Sequence, residues 1–202
     1  MSEIINKETI DQLMKIKGEV RGVVLKTDEG YILKEKGEEG ITQLEKKLED
    51  LGHPIKYDQI KTMGFYPVGL RILSLLVIKE LFNFNDEVIR KMGNFATKKS
   101  LIIRLFIKYF LSMERVVMKE SPKMWDKHWT VGKLVPVELN EKQKYAVIRI
   151  EEFNLHPVYC TYLEGYFAGI VQMLIKLPKI DSKETKCAFK GDAYHEFTIK
   201  WQ

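Results

Sequence analysis

The sequence has few of the residues that mark an exported protein or a membrane protein. Two cysteines, Cys160 and Cys187, are too few for a disulfide framework, and charged residues among the first ten positions exclude a signal peptide. The longest apolar run, residues 70–78, is interrupted by Arg71 and is far shorter than the roughly 20 residues of a membrane-spanning helix. We therefore expect a cytoplasmic protein with reduced thiols and no membrane span.

The sequence also lacks the motifs of common catalytic and nucleotide-binding sites. The dinucleotide-binding, P-loop, serine-hydrolase and zinc-protease motifs are all missing, and the four histidines are scattered. The net charge of +5, from 33 basic and 28 acidic residues, is spread without a block of five like charges. We therefore expect neither an enzyme nor a nucleic-acid-binding protein.

The pattern of apolar residues changes near residue 120, from helical spacing to the alternation of strands. Helices are predicted over residues 4–16, 19–36, 38–51, 67–82, 85–97, 101–119 and 158–175, and strands over 131–139, 144–151, 183–190 and 194–201. This order indicates a single α+β domain over residues 1–202. A helical subdomain (1–120) should pack on a second subdomain (121–202), whose four-stranded antiparallel sheet is made of two hairpins with an intervening helix.

The last strand alternates without a break, and its inward face is predicted to carry His195, Phe197, Ile199 and Trp201. A three-residue loop over 191–193 would pair Lys190 with Tyr194 and bring Cys187 diagonally across from His195.

The helix predicted over 101–119 has a wide aromatic and methionine face. Such a face packs a core, walls an apolar cavity or forms a subunit contact. We expect an apolar pocket between this helix and the sheet, lined by Phe106, Phe110, Met113, Trp125 and Trp129.

One group of residues has the chemistry of a metal site. Cys160, Cys187 and His195 are candidate zinc ligands, and His156, four residues before Cys160, is a candidate fourth. Because the sequence has no CxxC pair, the alternative is that both cysteines are small buried hydrophobes and His195 is a hydrogen-bonded core histidine.

Two glycines, Gly165 and Gly169, lie four residues apart in the helix predicted over 158–175. Glycine costs a helix about 1 kcal/mol relative to alanine. The pair therefore indicates that the sheet, another helix or a ligand approaches this face closely.

The arrangement of Cys160, Gly165, Gly169, Cys187, Gly191-Asp192, His195 and Phe197 resembles the 4-vinyl reductase-type domain, also called a hydrocarbon-binding domain. Residues 22–41 are similar to the opening helices of haem–nitric-oxide-binding-like proteins. These families share one α+β superfamily with vesicle-tethering subunits. The resemblance implies a helical half packed on a four-stranded sheet, a pocket between them for a small apolar molecule or a lipid, and a homodimer.

The sequence departs from the family patterns in two ways. His195 stands where the 4-vinyl reductase-type pattern has cysteine, although histidine also binds zinc. The haem-binding branch uses a histidine in the helical half and a Tyr-x-Ser-x-Arg motif, and neither occurs in the long helices predicted before residue 120. We therefore do not expect haem.

These observations predict a non-enzymatic binding or sensor domain for a small hydrophobic ligand. One alternative is a dimeric scaffold or protein-interaction module, in which the apolar face of 101–119 is buried in a contact. Another is a zinc-binding sensor or metal-dependent enzyme that uses Cys160, Cys187 and His195.

Overall fold

The computed structural model describes residues 5–110, 112–176 and 180–202, except for the side chains of residues 102, 109 and 110. Asn6 and Asn85 cap two of its helices by accepting hydrogen bonds from the backbone amides of Thr9 (2.8 Å) and Val88 (3.1 Å). The helices of the first half are α1 (Lys7–Met14), α2 (Gly22–Asp50), α3 (Val68–Leu81), α4 (Asp86–Lys99), α5 (Leu101–Phe110) and α6 (Ser121–His128).

The start of the second predicted helix differs from the prediction. Residues 19–21 form a short strand, β1 (Glu19–Arg21), which pairs with β2 (Phe65–Pro67). Val20 in this strand is fully buried and also bridges to Trp129, and such distant pairing leaves no trace in local periodicity. Gly37 interrupts the helical backbone within α2, with a φ of 68° and a ψ of −168°, at the position where the sequence predicted that one helix ends and the next begins.

The helix predicted over 101–119 is not continuous. It ends as α5 at Phe110, and Glu114–Glu120 form a π-helical segment that runs directly into α6. Pro122 therefore lies in the first turn of α6 rather than ending a helix. A proline is tolerated there because its missing N–H would have no helical partner.

The second half forms one antiparallel sheet with strand order β3–β4–β6–β5. The inward residues of its last strand, which are His195, Phe197, Ile199 and Trp201, are all buried. The predicted fold class is therefore confirmed. The elements are β3 (Lys133–Asn140), β4 (Tyr145–Glu151), α7 (Val158–Ile175), β5 (Ile180–Lys186) and β6 (His195–Trp201).

The predicted turn of the second hairpin is wrong. β5 ends at Lys186, which pairs with Glu196, and the chain then turns through a short 3₁₀ segment at 188–190. Asp192 closes this turn because its carboxylate accepts a hydrogen bond from the amide of Cys187 (2.8 Å). The loop is therefore longer than three residues, and Lys190 does not pair with Tyr194.

Helix α7 crosses α4 at very short range. A Cβ on Gly165 would lie 1.8 Å from the carbonyl oxygen of Arg90, and a Cβ on Gly93 would lie 2.0 Å from that of Tyr162. Gly169 is similarly close to the hydroxyl of Thr97 (2.3 Å). The close neighbour indicated by the paired glycines is therefore α4.

Among the described residues, α7 is the one helix whose length and composition would allow it to cross a membrane. Half of this helix is buried inside the fold, as in the core helix of a folded domain. Its length and composition are therefore only weak evidence that it crosses a membrane.

Gly165→Ala is expected to lower the free energy of unfolding by about 1–3 kcal/mol, because the new methyl group would collide with backbone of α4. Gly30→Ala in α2 is the matched control, since its Cβ would meet only the Phe95 ring at 3.7 Å. That change should stabilise the protein by up to about 1 kcal/mol. Urea unfolding followed by circular dichroism measures both, and equal effects would contradict the assigned contact.

Candidate functional site

An apolar cavity of about 50 Å³ lies between the helical half and the sheet, where the pocket was predicted. It is walled by α5, the π-helical segment, α6, α7 and the inner face of the sheet. The polar side chains at its wall are few. Its lining residues are Ile103, Phe106, Ile107, Val116, Val117, Ser121, Met124, Trp125, His128, Trp129, Leu134, Ile148, Tyr166, Phe167, Ile170, Val171 and Ile199.

The predicted lining is placed only in part by the structure. Phe106, Trp125 and Trp129 line the cavity. Met113 does not, because it lies where the chain passes into the π-helical segment and is buried in the core instead. The side chain of Phe110 lies outside the described residues.

A second cavity of about 30 Å³ lies on the other side of the same wall, toward α2 and α4. The two cavities share Ile103, Trp125, His128, Trp129 and Tyr166. These residues therefore form a partition whose side chains are accessible from both cavities.

The two tryptophans of this partition are held rigidly. Their rings stack at a centroid distance of 5.3 Å and an angle of 12°. The indole N–H of Trp125 donates to the carbonyl oxygens of Val131 (3.2 Å) and Gly132 (3.1 Å). The end of α6 is thereby tied to the start of β3, which fixes the cavity wall.

A buried ion pair lies behind Trp129. Arg71 is fully buried and its Nε donates to the carboxylate of Asp28 (2.9 Å). The guanidinium lies over the rings of Trp129, Tyr159 and Tyr162, at 5.5, 5.3 and 4.6 Å from their centroids. Burial lowers the pKa of Arg71, but Asp28 more than offsets this, so Arg71 remains a cation.

His128 is the polar residue of the partition with an unused ring nitrogen. Its Nδ1 lies 2.8 Å from the carbonyl oxygen of Met124. Because a carbonyl only accepts, Nδ1 must carry the proton. Burial lowers the pKa of His128, with Arg21 and Lys127 adding to the effect and the Met124 carbonyl opposing it, so the ring is neutral near pH 7.

His128 therefore carries a buried lone pair on a residue that lines an apolar cavity. Nε2 of His128 is buried and has no hydrogen-bond partner among the described residues. In the neutral ring with a protonated Nδ1, this atom accepts hydrogen bonds or binds a metal. Sequence reasoning did not assign His128 a role, although it placed the neighbouring Trp125 and Trp129 in the pocket lining.

A separate group of four potential ligands lies at the sheet. The structure brings Cys160, Cys187 and His195 together, as expected, and adds Glu184, which sequence reasoning missed. The sulfur of Cys160 is 3.9 Å from that of Cys187 and 3.9 Å from Nδ1 of His195. Tetrahedral zinc with Zn–S bonds of 2.3 Å would hold two sulfurs roughly 3.8 Å apart, which agrees with this spacing.

The fourth potential ligand of this group is Glu184, and not His156 as the sequence suggested. Its Oε1 lies 2.8 Å from Nδ1 of His195. Burial would raise the pKa of Glu184, but hydrogen bonds from His195, Cys187 and Cys160 outweigh it, and the net pKa is lowered. His156 is not in the group, because its Nδ1 accepts a hydrogen bond from the amide of Val158 (3.1 Å).

Burial and the neighbouring Glu184 carboxylate raise the pKa of the Cys160 thiol. The thiol therefore stays protonated at neutral pH unless a cation replaces its proton.

No family model and no curated protein sequence matches this chain. Several solved structures are similar to it. An H-NOX protein from S. oneidensis in the Fe(II)NO ligation state superposes with a TM-score of 0.68 at 16% identity, over 90% of this chain and 99% of that one. A mutant H-NOX domain from Shewanella oneidensis in the Fe(II)CO ligation state has a TM-score of 0.66 at 18% identity, over 90% and 98%.

An oxygen-binding H-NOX domain related to soluble guanylate cyclases is also similar, with a TM-score of 0.61 at 13% identity, over 90% of this chain and 95% of that one. Another similar structure, with a TM-score of 0.60 at 13% identity, concerns haem redox potential and porphyrin distortion. At these identities the similarity establishes a shared fold. The 4-vinyl reductase-type specificity that the sequence resembled is not confirmed by these structures.

The expectation that haem is unlikely is contradicted by these structures. It rested on the lack of a histidine in the long helices before residue 120, yet the fold is that of haem-binding domains. His128 lies just beyond that limit, and an unprotonated imidazole nitrogen such as its Nε2 is of the type that would hold haem iron. The donor therefore fits haem, although a macrocycle would require the wall from α5 to α6 to move outward from a cavity of 50 Å³.

His128→Phe is expected to flatten the dependence of stability on pH. Because burial lowers the pKa of His128, the unfolded chain binds a proton below its ordinary pKa of 6.5 while the folded chain does not. The contribution of His128 to stability is therefore lost as pH falls below that value, by at most about 1.4 kcal/mol per pH unit. Urea unfolding at about pH 7.5 and at about pH 5, which lie above and below the ordinary histidine pKa, measures this loss of stability. An equally steep loss in the variant would contradict a buried neutral His128.

Proposed function

We propose that this chain is a ligand-binding domain of the sensor type, without catalytic activity, and that its ligand occupies the cavity between α5, α6, α7 and the sheet. The observation that carries the proposal is the apolar cavity at the junction of the two halves. Ligand pockets are commonly apolar with a few fixed polar groups, and the cavity wall with His128 has this character. The homodimer expected from the resemblance stays a prediction.

Haem is the first ligand to test, because the structures of similar fold bind it. His128 would hold the iron through Nε2, and the rings of Phe106 and Trp129 would lie at the apolar wall that excludes water. When bound, haem iron supplies a site for diatomic gases. The Met124 carbonyl keeps the proton on Nδ1 and so keeps Nε2 unprotonated for the metal.

A smaller apolar molecule is the second candidate, and the cavity volume favours it. A cavity of about 50 Å³ exceeds the roughly 10–15 Å³ needed for one water, but is below the roughly 150 Å³ of an engineered cavity that binds benzene. A molecule of a few heavy atoms therefore needs less movement of the wall than a porphyrin does.

The first test is titration of the apoprotein with haem in the ferrous state, followed by absorption spectroscopy, and mass spectrometry of the freshly purified protein for a smaller bound molecule. We expect a saturable spectrum at one haem per chain that His128→Ala abolishes. His53→Ala, in the loop after α2, is the control and should bind like the unmodified protein.

Filling the cavity separates a specific site from surface adsorption. Phe106→Trp enlarges a side chain of the cavity wall and should weaken binding of either ligand at least tenfold. The fold should be kept, because overpacking lowers the free energy of unfolding by only about 1–3 kcal/mol. Binding that is unchanged in both Phe106→Trp and His128→Ala would contradict the cavity as the ligand site.

The four-donor group favours a second, separable role in metal binding. Two thiols, an imidazole and a carboxylate suit zinc and similar borderline-soft ions, and their ligand atoms lie within 4.8 Å of one another. A metal there would join α7 to the β5–β6 hairpin, because Cys160 lies on α7 and the other three donors lie on the hairpin. Its role would be structural.

Cobalt(II) titration tests this role, because thiolate-bound cobalt has characteristic visible absorption. We expect one ion per chain, with affinity reduced at least tenfold in Cys187→Ala and in Glu184→Gln. His156→Ala is the matched control and should retain the affinity, since His156 is outside the four-donor group. Loss of affinity in His156→Ala alone would contradict the assignment of Glu184 as the fourth ligand.

A further inference from the structure

We propose that the outer face of α5 docks on an anionic lipid surface. This face consists of Leu101, Arg104, Leu105 and Lys108, which follow one another at intervals of three, one and three residues and so lie on one side of the helix. The proposal is independent of the ligand in the cavity, because it concerns the side of α5 that faces away from the cavity.

The outer face of α5 exposes apolar side chains that the fold does not bury. Leu101 and Leu105 are 63% and 56% exposed. Ile103 and Ile107, on the opposite side of the helix, are buried and line the cavity. The inner side of α5 therefore fixes the helix to the domain, and the two outer leucines, one turn apart, form an apolar patch that is available to a partner.

The charge around these leucines has one sign. Residues 88–113 contain no aspartate or glutamate. Arg90 and Lys91 in this range pair with Glu164 and Glu87. The other basic side chains of the range are exposed and form no ion pair within the part of the chain that the structure describes, and they are Lys98, Lys99, Arg104 and Lys108. The partner of this face is therefore expected to carry negative charge.

An anionic lipid surface has both properties that this face requires. Its headgroups attract lysine and arginine, and its acyl region accepts leucine side chains without a pocket of matching shape. The aliphatic stems of Arg104 and Lys108 can lie beside the leucines while their charged ends reach the phosphates. A second copy of this chain fits the face less well, because two such faces would bring cations against cations.

A groove beside this face continues the basic surface. It has a volume of about 650 Å³ and lies between α2 and the start of α5, where Lys99 and Leu101 line it together with Lys26 and Lys34. Each of the two α2 lysines already pairs with a glutamate of the same helix, so Lys99 supplies the uncompensated charge. The groove gives space beside Leu101 for a lipid headgroup, with Lys99 as its charge partner.

Co-sedimentation with lipid vesicles tests the proposal. We expect binding to vesicles of roughly three parts phosphatidylcholine to one part phosphatidylserine, and binding about tenfold weaker or less to pure phosphatidylcholine. Arg104→Gln combined with Lys108→Gln should lower the partition coefficient roughly tenfold or more, since each basic side chain near an anionic surface contributes about a fivefold factor. Lys142→Gln combined with Lys200→Gln, at two exposed lysines of the sheet, makes the same change in net charge and should leave binding unaltered.

Leu101→Ser combined with Leu105→Ser separates a lipid surface from other polyanions, with polyglutamate and duplex DNA as comparison ligands. Both side chains are exposed, so the fold should be kept, which circular dichroism checks. Vesicle binding should fall about fivefold or more, because the apolar contact with the acyl region is lost.

Three results would overturn the lipid surface: no binding to the anionic vesicles, vesicle binding that the leucine variant retains in full, or binding to polyglutamate or DNA as tight as to the vesicles. An equal loss of vesicle binding in the variant of Lys142 and Lys200 would overturn the assignment to α5. None of these results bears on the cavity, so the proposed function is tested separately.

Discussion

The buried ion pair between Arg71 and Asp28 is the interaction on which this structure depends most. It joins α3 to α2, and the hydroxyl of Tyr162 on α7 donates to the same carboxylate (3.3 Å). Removing one partner of such a pair typically costs about 3–5 kcal/mol, because an uncompensated charge remains in the core. The guanidinium also contacts the ring of Trp129, so the pair supports the wall of the cavity from behind.

Helix α7 connects this core to both candidate sites. Its glycine face meets α4 at backbone distance, while Phe167 and Val171 face the cavity and Cys160 faces the β5–β6 hairpin. A small shift of α7 would therefore change the cavity and the four-donor group together.

The local periodicity of apolar residues was sufficient to predict the α+β order of the elements and the inward face of β6. The sequence also indicated that Trp125 and Trp129 lie at a cavity. It could not predict features that depend on distant pairing. Glu184 pairs with buried Phe197 in the regular register of β5, so it lies on the same face as Ser182, before the register shifts between Glu184 and Lys186. The strand was predicted over 183–190 without this register, so the place of Glu184 in the four-donor group could not be predicted from local periodicity. The role of His128 depends on its contact with the Met124 carbonyl and on its position at the cavity. The residue type alone indicates neither.

The most direct test of the account is the state of the His128 ring, observed by long-range ¹H–¹⁵N NMR on protein labelled with ¹⁵N-histidine, with His128→Phe used to assign the signal. The account predicts a neutral ring at pH 7 with the proton on Nδ1 and an unprotonated Nε2. A protonated Nε2 at pH 7, in either the neutral or the charged ring, would contradict it, because Nε2 would then have no lone pair.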